Sequence, residues 1–468
     1  MQQRKKIVLY NPKAVFFDMP LALLAVGSAL DTSRYEVIII DGRIESHIDE
    51  LLALHLPDAL CFGISVITGA PLNDALKTSK TVKKHFPGLP VIWGGWHASL
   101  FPEQVLADES CVDIVVRGQG EITFTELVAN LSNGLDLDSV KGICYRKKDG
   151  TVMCNPLRTL SAVEAFNRID YSFIDVETYF HNKGNRQFDI ITSAGCLFRC
   201  AFCADPFVYG RKFSALPAKR LADDIEYYYH KYAFTDLNFQ DESFFTYSQR
   251  VHDLTTELIQ RKIKLSWAAT MRADQGAKLS DETWRLCKAS GLRRLLIGVE
   301  SGSQEMLDTL NKDIKLEQVY ACAEKCRELG IAVIFPFIIG FPGESDESAE
   351  ATARVMKELK SMSPLFETPA FHFRPYPGSR LIHEAEAGGY RLPATTAAWA
   401  EFDFVDSVGP WVSKEKAAYF DALGFYLKLA YGRRRLLLLP FRFIARYRCR
   451  YNFFRFPLAM NIFKQLSN

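Results

Sequence analysis

Two series of short apolar segments, each alternating with helical patterns, constrain the fold of this chain more than any other feature. The first series comprises KIVLY (6–10), YEVIIID (35–41), ALCFGIS (59–65), PVIWGG (90–95) and DIVVRG (113–118). These runs are almost continuously apolar and rich in β-branched residues, as expected of strands that are buried on both faces. Helical patterns between them, such as 21–30 and 73–85, predict an α/β fold with a doubly wound parallel sheet. Such sheets bind ligands at the carboxyl ends of their strands.

A hairpin and a linker separate this series from the second one. Two alternating runs flank Asp149-Gly150 in the segment VKGICYRKKDGTVMCNP, and this dipeptide favours a tight turn between antiparallel strands. Residues 157–187 show little periodicity, so we expect them to form a linker.

The second series supplies six further strand candidates separated by helical patterns. These candidates are FDIITSA (188–194), TDLNFQ (235–240), KLSWAAT (264–270), RRLLIGVE (293–300), IAVIFPFII (331–339) and ETPAFHFR (367–374). Six βα units in a row predict a barrel or partial barrel, a (βα)6 fold of the TIM type, with its chemistry at the carboxyl ends of the strands. The predicted organisation is therefore an N-terminal sheet (1–135), a hairpin and linker (136–187), a partial barrel (188–384) and a short, mainly helical C-terminal region (385–468).

Three of the 11 cysteines, Cys196, Cys200 and Cys203, lie within one short segment, ITSAGCLFRCAFCADPF, just past the first strand of the second series. Their C-x3-C-x2-C spacing can hold three irons of a [4Fe–4S] cluster and leave the fourth iron open to a ligand. A structural zinc site would need a fourth ligand nearby, and no histidine lies within the segment. Three cysteines that merely pack in so short a loop are the remaining alternative.

The segment resembles the signature of the radical S-adenosylmethionine superfamily, with Phe202 as the aromatic residue before the last cysteine. The resemblance implies that the amino and carboxylate groups of S-adenosylmethionine chelate the open iron. One electron from the cluster then breaks the S–C5′ bond, and the 5′-deoxyadenosyl radical abstracts a hydrogen from the substrate. The cosubstrate thus carries the difficult chemistry, while the protein positions it.

The ends of the later strands resemble cofactor-binding positions of the same family. The sequences there are FQDESFF, MRAD, IGVESGS and FIIGFPGES. The resemblance assigns to S-adenosylmethionine the residues Phe202, Asp241, Glu242, Arg272, Glu300, Ser301, Ile339 and Gly340. Taken singly, each has a simpler explanation: Asp241 and Glu242 as solvated loop acids, Glu300 as a buried ion-pair partner of Arg272, and Gly340 as a turn residue.

The loops of the first series, GISVITGA, GGWHASLFPE and RGQGE, all follow strands, and their glycines let the backbone approach a ligand closely. They resemble the cobalamin-binding domain that precedes the barrel in one branch of the superfamily, the branch that includes the anaerobic magnesium-protoporphyrin monomethyl ester cyclase and cobalamin-dependent methylases. The resemblance assigns to cobalamin the residues Ser65, Thr68, Gly94, Gly95, His97, Gly118, Gly120 and Glu121. No D-x-H-x-x-G motif follows the first strand, so we expect His97 to bond the macrocycle's side chains or cap the turn rather than ligate cobalt. The alternative is a flavodoxin-like sheet without this ligand.

Charge and hydropathy add the cellular context. The apolar run at the N-terminus, Ile7 to Tyr10, is too short for a signal peptide, and no run of about 18 apolar residues occurs, so we expect a cytoplasmic protein. Between Lys428 and Lys464 the chain has ten Lys or Arg residues and no Asp or Glu. This aromatic and basic tail fits either a helix or helix pair, broken at Pro440, on an anionic membrane, or a final helix packed on the barrel. Nucleic acid binding is less favoured, since the net charge of the whole chain is only +2.

These observations predict a cobalamin-dependent radical S-adenosylmethionine enzyme that modifies an unactivated carbon of an apolar small molecule, such as a lipid, isoprenoid or tetrapyrrole. Oxidation, cyclisation, rearrangement and C-methylation all remain open. The predicted partners are this substrate and an electron donor such as flavodoxin or ferredoxin, with peripheral membrane contact through the tail. The alternative is an iron–sulfur sensor or electron carrier, for which six barrel strands with ordered cofactor loops would be needless.

Overall fold

The computed structural model describes residues 4–402, 408–432, 439–454 and 460 of the 468-residue chain. The chain folds into two compact units, each assembled from separate stretches of sequence. The first unit comprises Met1–Leu197, Ala204–Asp236 and Leu392–Asp403. The second comprises Phe198–Cys203, Leu237–Arg391 and Phe404–Asn468.

A seven-stranded sheet forms the centre of the first unit. Its strands are β1 (Lys5–Asn11), β2 (Tyr35–Asp41), β3 (Ala59–Ser65), β4 (Val91–Gly94), β5 (Ile114–Val116), β6 (Ile143–Arg146) and β7 (Val152–Cys154). Their order is β2-β1-β3-β4-β5-β6-β7, parallel through β5 and antiparallel for β6 and β7. The connecting helices are α1 (Leu21–Ser28), α2 (Ile48–His55), α3 (Pro71–His85), α4 (Trp96–Leu100), α5 (Pro102–Asp108) and α6 (Gly120–Asn133). The predicted sheet and hairpin are confirmed, and the apolar runs are buried because helices cover the sheet.

Two features of the first unit were not predicted. The segment expected to be a linker contains α7 (Val176–Lys183), which begins where the Asp175 side chain accepts a hydrogen bond from the Glu177 amide and ends at Gly184 in the left-handed conformation. In the hairpin, Cys144 and Cys154 face each other across paired strands and form a disulfide.

The rest of the first unit follows the linker. Its elements are β8 (Gln187–Ile190), β9 (Ser193–Gly195), α8 (Asp205–Val208), β10 (Phe213–Ala215) and α9 (Ala218–Tyr232). Strand β9, which leads into the cysteine segment, pairs with β10 in antiparallel fashion. Gly195 has φ +83°, and a Cβ there would lie 2.2 Å from the carbonyl oxygen of Lys212. The residue before Cys196 must therefore be glycine for these strands to approach.

The second unit contains further strands with helices between them. The strands are β11 (Asp236–Phe239), β12 (Ser266–Met271), β13 (Leu292–Ile297), β14 (Ala332–Ile334), β15 (Phe337–Ile339), β16 (Phe366–Glu367) and β17 (Ala370–His372). Five of them lie in the order β16-β14-β13-β12-β11. The helices are α10 (Ser248–Gln260), α11 (Ala273–Gly276), α12 (Asp281–Ala289), α13 (Gln304–Thr309), α14 (Leu316–Glu328), α15 (Asp346–Met362), α16 (Ile382–Ala387), α17 (Lys414–Tyr431) and α18 (Leu439–Tyr451).

The last two predicted strands are each divided, which corrects the sequence-based expectation. Pro336 separates β14 from β15, and Pro369 separates β16 from β17. Proline has no amide hydrogen to donate, so a strand interior cannot continue its ladder through it. As a result, β15 and β17 leave the main sheet and form a parallel pair of their own.

The C-terminal helices α17 and α18 pack against each other in the second unit. Pro440 lies in the first turn of α18, where proline is tolerated, so it does not break a helix as the sequence predicted. The tail's basic residues Arg433, Arg434, Arg435, Arg455 and Lys464 lie outside the described residues. Among the helices that the structure describes, none combines the length and the apolar character needed to cross a bilayer.

Candidate functional site

The cysteine segment is divided between the two units. Cys196 follows β9 in the first unit, whereas Cys200 and Cys203 belong to the second. All three side chains are half-buried and outside the disulfide. Cys61 and Cys287, in contrast, are fully buried. This burial raises the pKa of their thiols to about 12, which keeps them protonated. Among the described residues, no three His, Cys, Asp or Glu side chains converge closely enough to hold a metal ion, so the ligand assignment stays a prediction.

The part of this segment in the second unit is held by its backbone. The Ala201 amide donates to the Leu310 carbonyl at 2.8 Å, and the Ala201 carbonyl accepts from the Leu381 amide at 3.2 Å. Ala201 is also packed in an apolar cluster. At the surface, Arg199 makes a two-bond ion pair with Asp313 at 2.8 and 2.9 Å. Residues between the cysteines therefore contribute to the order of this loop.

Arg272, at the end of β12, lies against the cysteine loop. Its Nη1 is 3.5 Å from the Cys200 Sγ, and its guanidinium stacks 3.7 Å from the centre of the Phe198 ring. Its Nε donates to Asp274 at 2.9 Å, and its Nη2 donates to the Lys312 carbonyl. The predicted Arg272 is thus placed to donate a hydrogen bond to a sulfur that would carry negative charge as a ligand.

Glu300 pairs with Lys312, which corrects the alternative that it pairs with Arg272. The Lys312 Nζ donates to Glu300 Oε1 at 2.7 Å, and both side chains are less than a tenth exposed. The Lys312 ammonium also lies 5.6 Å from the centre of the Phe202 ring. Glu300 has φ +69°, a conformation that a residue with a side chain seldom adopts, and such strain is typical of functional sites. Sequence reasoning missed Lys312 because it lies in a loop with no motif.

The remaining acidic and hydroxyl candidates of the second unit are mostly buried. Asp241 is buried at the end of β11, and its carbonyl accepts from Thr270 Oγ1 at 2.6 Å. Burial lowers the pKa of Arg250, and the nearby Asp241 charge opposes this shift. Glu242 is half-buried. The Ser301 hydroxyl is fully buried and bonded to Thr352 at 3.2 Å, so its contact is with the protein interior.

Gly340 directly follows β15 and contacts residues of the C-terminal region. Its φ is +75°, and a Cβ would lie 2.5 Å from Val412 Cγ2. The Trp411 indole donates to its carbonyl at 2.9 Å, and its amide donates to Glu344 at 2.8 Å. Its neighbour Ile339 is buried and is paired with His372 in the strand pair. Sequence analysis did not identify Trp411 because the residue is distant in sequence from β15.

In the first unit, the candidate residues after β3 and β4 form one hydrogen-bonded structure. The Val66 amide donates to the Gly94 carbonyl at 2.8 Å, and the His97 amide donates to the Val66 carbonyl at 3.1 Å. Gly95 has φ +88°, and a Cβ there would lie 2.7 Å from the Val66 carbonyl oxygen and 3.1 Å from Ser65 Oγ. This close approach requires glycine.

His97 is fully buried between aromatic rings. Its Nδ1 is 3.1 Å from the Thr68 hydroxyl, and the rings of Phe101 and Trp399 lie 5.3 and 6.2 Å away between centroids. Burial lowers its pKa to about 4, so the imidazole is neutral near neutral pH. Its Nε2 has no hydrogen-bond partner among the described residues. The sequence prediction of a non-ligating His97 is compatible with this burial.

Ser99 joins two of the glycine loops. Its hydroxyl donates to the Gly95 carbonyl at 2.7 Å and accepts from the Gly118 amide at 2.9 Å. Gly118 has φ +70° with open space where a Cβ would lie, whereas a Cβ on Gly120 would lie 2.9 Å from Val26. Burial raises the pKa of Glu121 in the first turn of α6. Sequence reasoning missed Ser99, although its position two residues after His97 in the same loop was a usable signal.

Two parts of the chain match known protein families. Residues 190–356 match the family model of the radical SAM superfamily, and residues 11–128 match that of the B12 binding domain. A Pyrococcus horikoshii protein described as an uncharacterized methyltransferase is 29% identical over 395 residues, covering 83% of this chain and 82% of the relative. The anaerobic magnesium-protoporphyrin IX monomethyl ester cyclase of Rubrivivax gelatinosus is 26% identical over 359 residues, covering 75% of this chain and 63% of the cyclase.

Among solved structures, the chain is similar to TsrM, a radical S-adenosylmethionine methyltransferase from Kitasatospora setae, with tryptophan and a cosubstrate analogue bound. The TM-score is 0.76 at 18% identity, and the match covers 92% of this chain and 90% of TsrM. At this identity the likeness concerns the fold, and it confirms the predicted fold class.

Proposed function

We propose that the chain cleaves S-adenosylmethionine reductively to modify an unactivated carbon, because residues 190–356 match the radical SAM family model and residues 11–128 match the B12-binding model. A [4Fe–4S] cluster would be held by Cys196, Cys200 and Cys203. Their chemistry fits: soft thiolates are the usual ligands of such clusters, and three of them leave one iron open. The observation that carries this proposal is Arg272, whose guanidinium donates toward Cys200 Sγ at 3.5 Å from the end of a neighbouring strand.

When bound, the cluster and S-adenosylmethionine supply a carbon radical for hydrogen abstraction, and cobalamin supplies a second reactive centre. The protein's own residues bind and orient these groups. We assign Asp241 and Glu242 to the methionine amino group and Glu300 to the ribose. The other residues that we assign to S-adenosylmethionine are Phe202, Ser301, Ile339 and Gly340. Since the Ser301 hydroxyl and the Gly340 amide and carbonyl already have protein partners, these two residues would act through their shape rather than their polar atoms.

The cobalamin assignment rests on the glycine loops of the first unit. Gly94 and Gly118 would allow close approach of the macrocycle, whereas Gly95 and Gly120 would let the loops pack closely against Val66 and Val26. Polar contacts would come from Ser65, Thr68 and Glu121. We propose that His97 orders these loops and does not ligate cobalt. Its support is the Thr68 contact and the complete burial of the imidazole.

We propose C-methylation of an apolar small molecule as the reaction, with cyclisation or another radical oxidation as the second candidate. The methyltransferase relative, aligned over 82% of its length, favours the first. The magnesium-protoporphyrin cyclase, aligned over 63% of its length, favours the second and has a tetrapyrrole substrate. Either reaction needs an external one-electron donor, for which flavodoxin or ferredoxin is suited.

Anaerobic reconstitution with iron, sulfide and hydroxocobalamin tests this proposal. With a reductant and S-adenosylmethionine, the protein should form 5′-deoxyadenosine, and Arg272→Gln should form much less at equal iron content. Transfer of a deuterated methyl group from the cosubstrate to a product would distinguish methylation from cyclisation. A fully loaded protein that forms no 5′-deoxyadenosine would support the sensor or electron-carrier alternative.

A further inference from the structure

Helix α18 presents an apolar stripe to solvent on the face opposite its packed side. Phe443, Ile444, Tyr447 and Tyr451 are exposed by 72, 55, 60 and 59%. At about 100° per residue these four side chains fall within roughly a quarter of the helix circumference. Four large apolar groups on one exposed face form a patch of the kind that marks an interaction surface.

The opposite face of α18 is firmly packed, so the stripe is not the product of a loose helix. Ala445 and Cys449 are buried, and Arg442 donates to the Ala430 carbonyl at the end of α17. Beyond the last turn, Asn452 accepts a hydrogen bond from Lys357 Nζ at 2.7 Å. These contacts fix which face of α18 is exposed.

Positive charge borders the stripe. Arg446 and Arg450 are exposed on one flank, and the segment from Lys428 to Lys464 contributes ten positive charges without a single acid. Because the whole chain has a net charge of +2, the remainder carries a net charge of −8. An anionic surface would therefore attract this region and repel the rest of the protein.

We propose that the α18 stripe is a membrane-docking surface for anionic lipid. Phe443 and Ile444 would enter the boundary of the acyl chains, the two tyrosines would place their hydroxyls at the headgroups, and Arg450 would contact lipid phosphate. A second copy of the chain is a poorer occupant, since it would bring like charges together. This docking would bring the enzyme to apolar substrates in the bilayer, a consequence that rests on the proposed function, whereas the docking itself does not.

Cosedimentation of the full-length, reconstituted protein with vesicles tests the proposal. Wild type should bind vesicles that contain phosphatidylglycerol and leave pure phosphatidylcholine vesicles in the supernatant. Phe443→Ser combined with Tyr447→Ser should weaken binding at least tenfold, and Arg450→Gln about fivefold, which is the contribution of one basic residue near an anionic surface. Leu54→Ser, which removes an exposed leucine of the first unit, is the matched control and should bind as wild type does.

Three outcomes would overturn the docking proposal. These are failure of wild type to bind anionic vesicles, unchanged binding by the double variant, and self-association in sedimentation velocity that the double variant abolishes. Formation of 5′-deoxyadenosine by the same preparations should be equal in wild type and variants, so a failure of docking and a failure of the proposed chemistry give different results.

Discussion

Replacing Lys312 by methionine tests how much the buried Glu300–Lys312 pair contributes to the stability of the second unit. Methionine keeps the length and the backbone carbonyl that accepts from Arg272, but it removes the ammonium that contacts Glu300 at 2.7 Å. The Glu300 carboxylate would then be buried without a cation. Breaking a buried pair from one side costs about 3–5 kcal/mol, and we expect a loss of unfolding free energy of that size.

The control is the same substitution three residues along the chain. Lys315 also pairs with an acid, Asp308 at 3.5 Å, but both side chains are about 60% exposed. Exposed pairs contribute about 0–1 kcal/mol, so Lys315→Met should be almost neutral. Urea denaturation followed by circular dichroism measures both variants.

A second replacement tests the cause of the effect. If the cost comes from the unpaired carboxylate, Glu300→Gln added to Lys312→Met should restore about 0.5–3 kcal/mol, since contacting residues couple on this scale. The reasoning is refuted if Lys312→Met lowers the unfolding free energy no more than Lys315→Met does. It is also refuted if the loss in the double variant equals the sum of the losses in Lys312→Met and Glu300→Gln.

Three further predictions concern single residues. Cys200→Ala should abolish the brown chromophore after anaerobic reconstitution, whereas Cys111→Ala should keep it; a chromophore that survives in Cys200→Ala would disprove the ligand assignment. Because burial lowers the pKa of His97 to about 4, below its ordinary value of 6.5, the unfolded chain binds the proton more readily as pH falls. The free energy of unfolding should therefore fall by about 2 kcal/mol between pH 7 and pH 5. The urea midpoint of His97→Gln, measured over the same pH range, should not show this fall. Gly95→Ala should cost about 1–3 kcal/mol in the same assay, more than Gly134→Ala, which has φ +65° but open space around its Cβ.

The fold was largely predictable because buried parallel strands leave a strong sequence pattern. The runs at 35–41 and 59–65 coincide with β2 and β3, residue for residue. The divided strands at Pro336 and Pro369 were missed because apolar periodicity was given more weight than the missing amide hydrogen. Helix α7 was missed since short helices show few periods, although Asp175 and Gly184 carried ordinary cap signals.

The candidate site was predictable where its residues lie close together in a short sequence motif. The spacing of the three cysteines singled them out, and the resemblance of the MRAD strand end singled out Arg272; their roles as ligands and cofactor contacts stay predictions. Lys312 and Trp411 did not, because their contacts arise only when the chain returns to the strand ends from distant positions. The same reason explains why Arg272 was suggested as the ion-pair partner of Glu300: the loop between α13 and α14 brings Lys312 to Glu300, and this loop carries no motif.

If the three cysteines hold a cluster as predicted, the contacts of their loop reduce the conformational entropy that is lost when the cluster binds. Ala201 is bonded through both its amide and its carbonyl, and Arg272 stacks on Phe198 while it is neutralised by Asp274. Folding of the second unit therefore fixes the backbone around Cys200. Because the conformational entropy of this part of the loop is already lost on folding, binding of a ligand there requires little further loss. It follows that a change which leaves the cysteines intact but loosens Arg272 should lower cluster retention together with unfolding free energy.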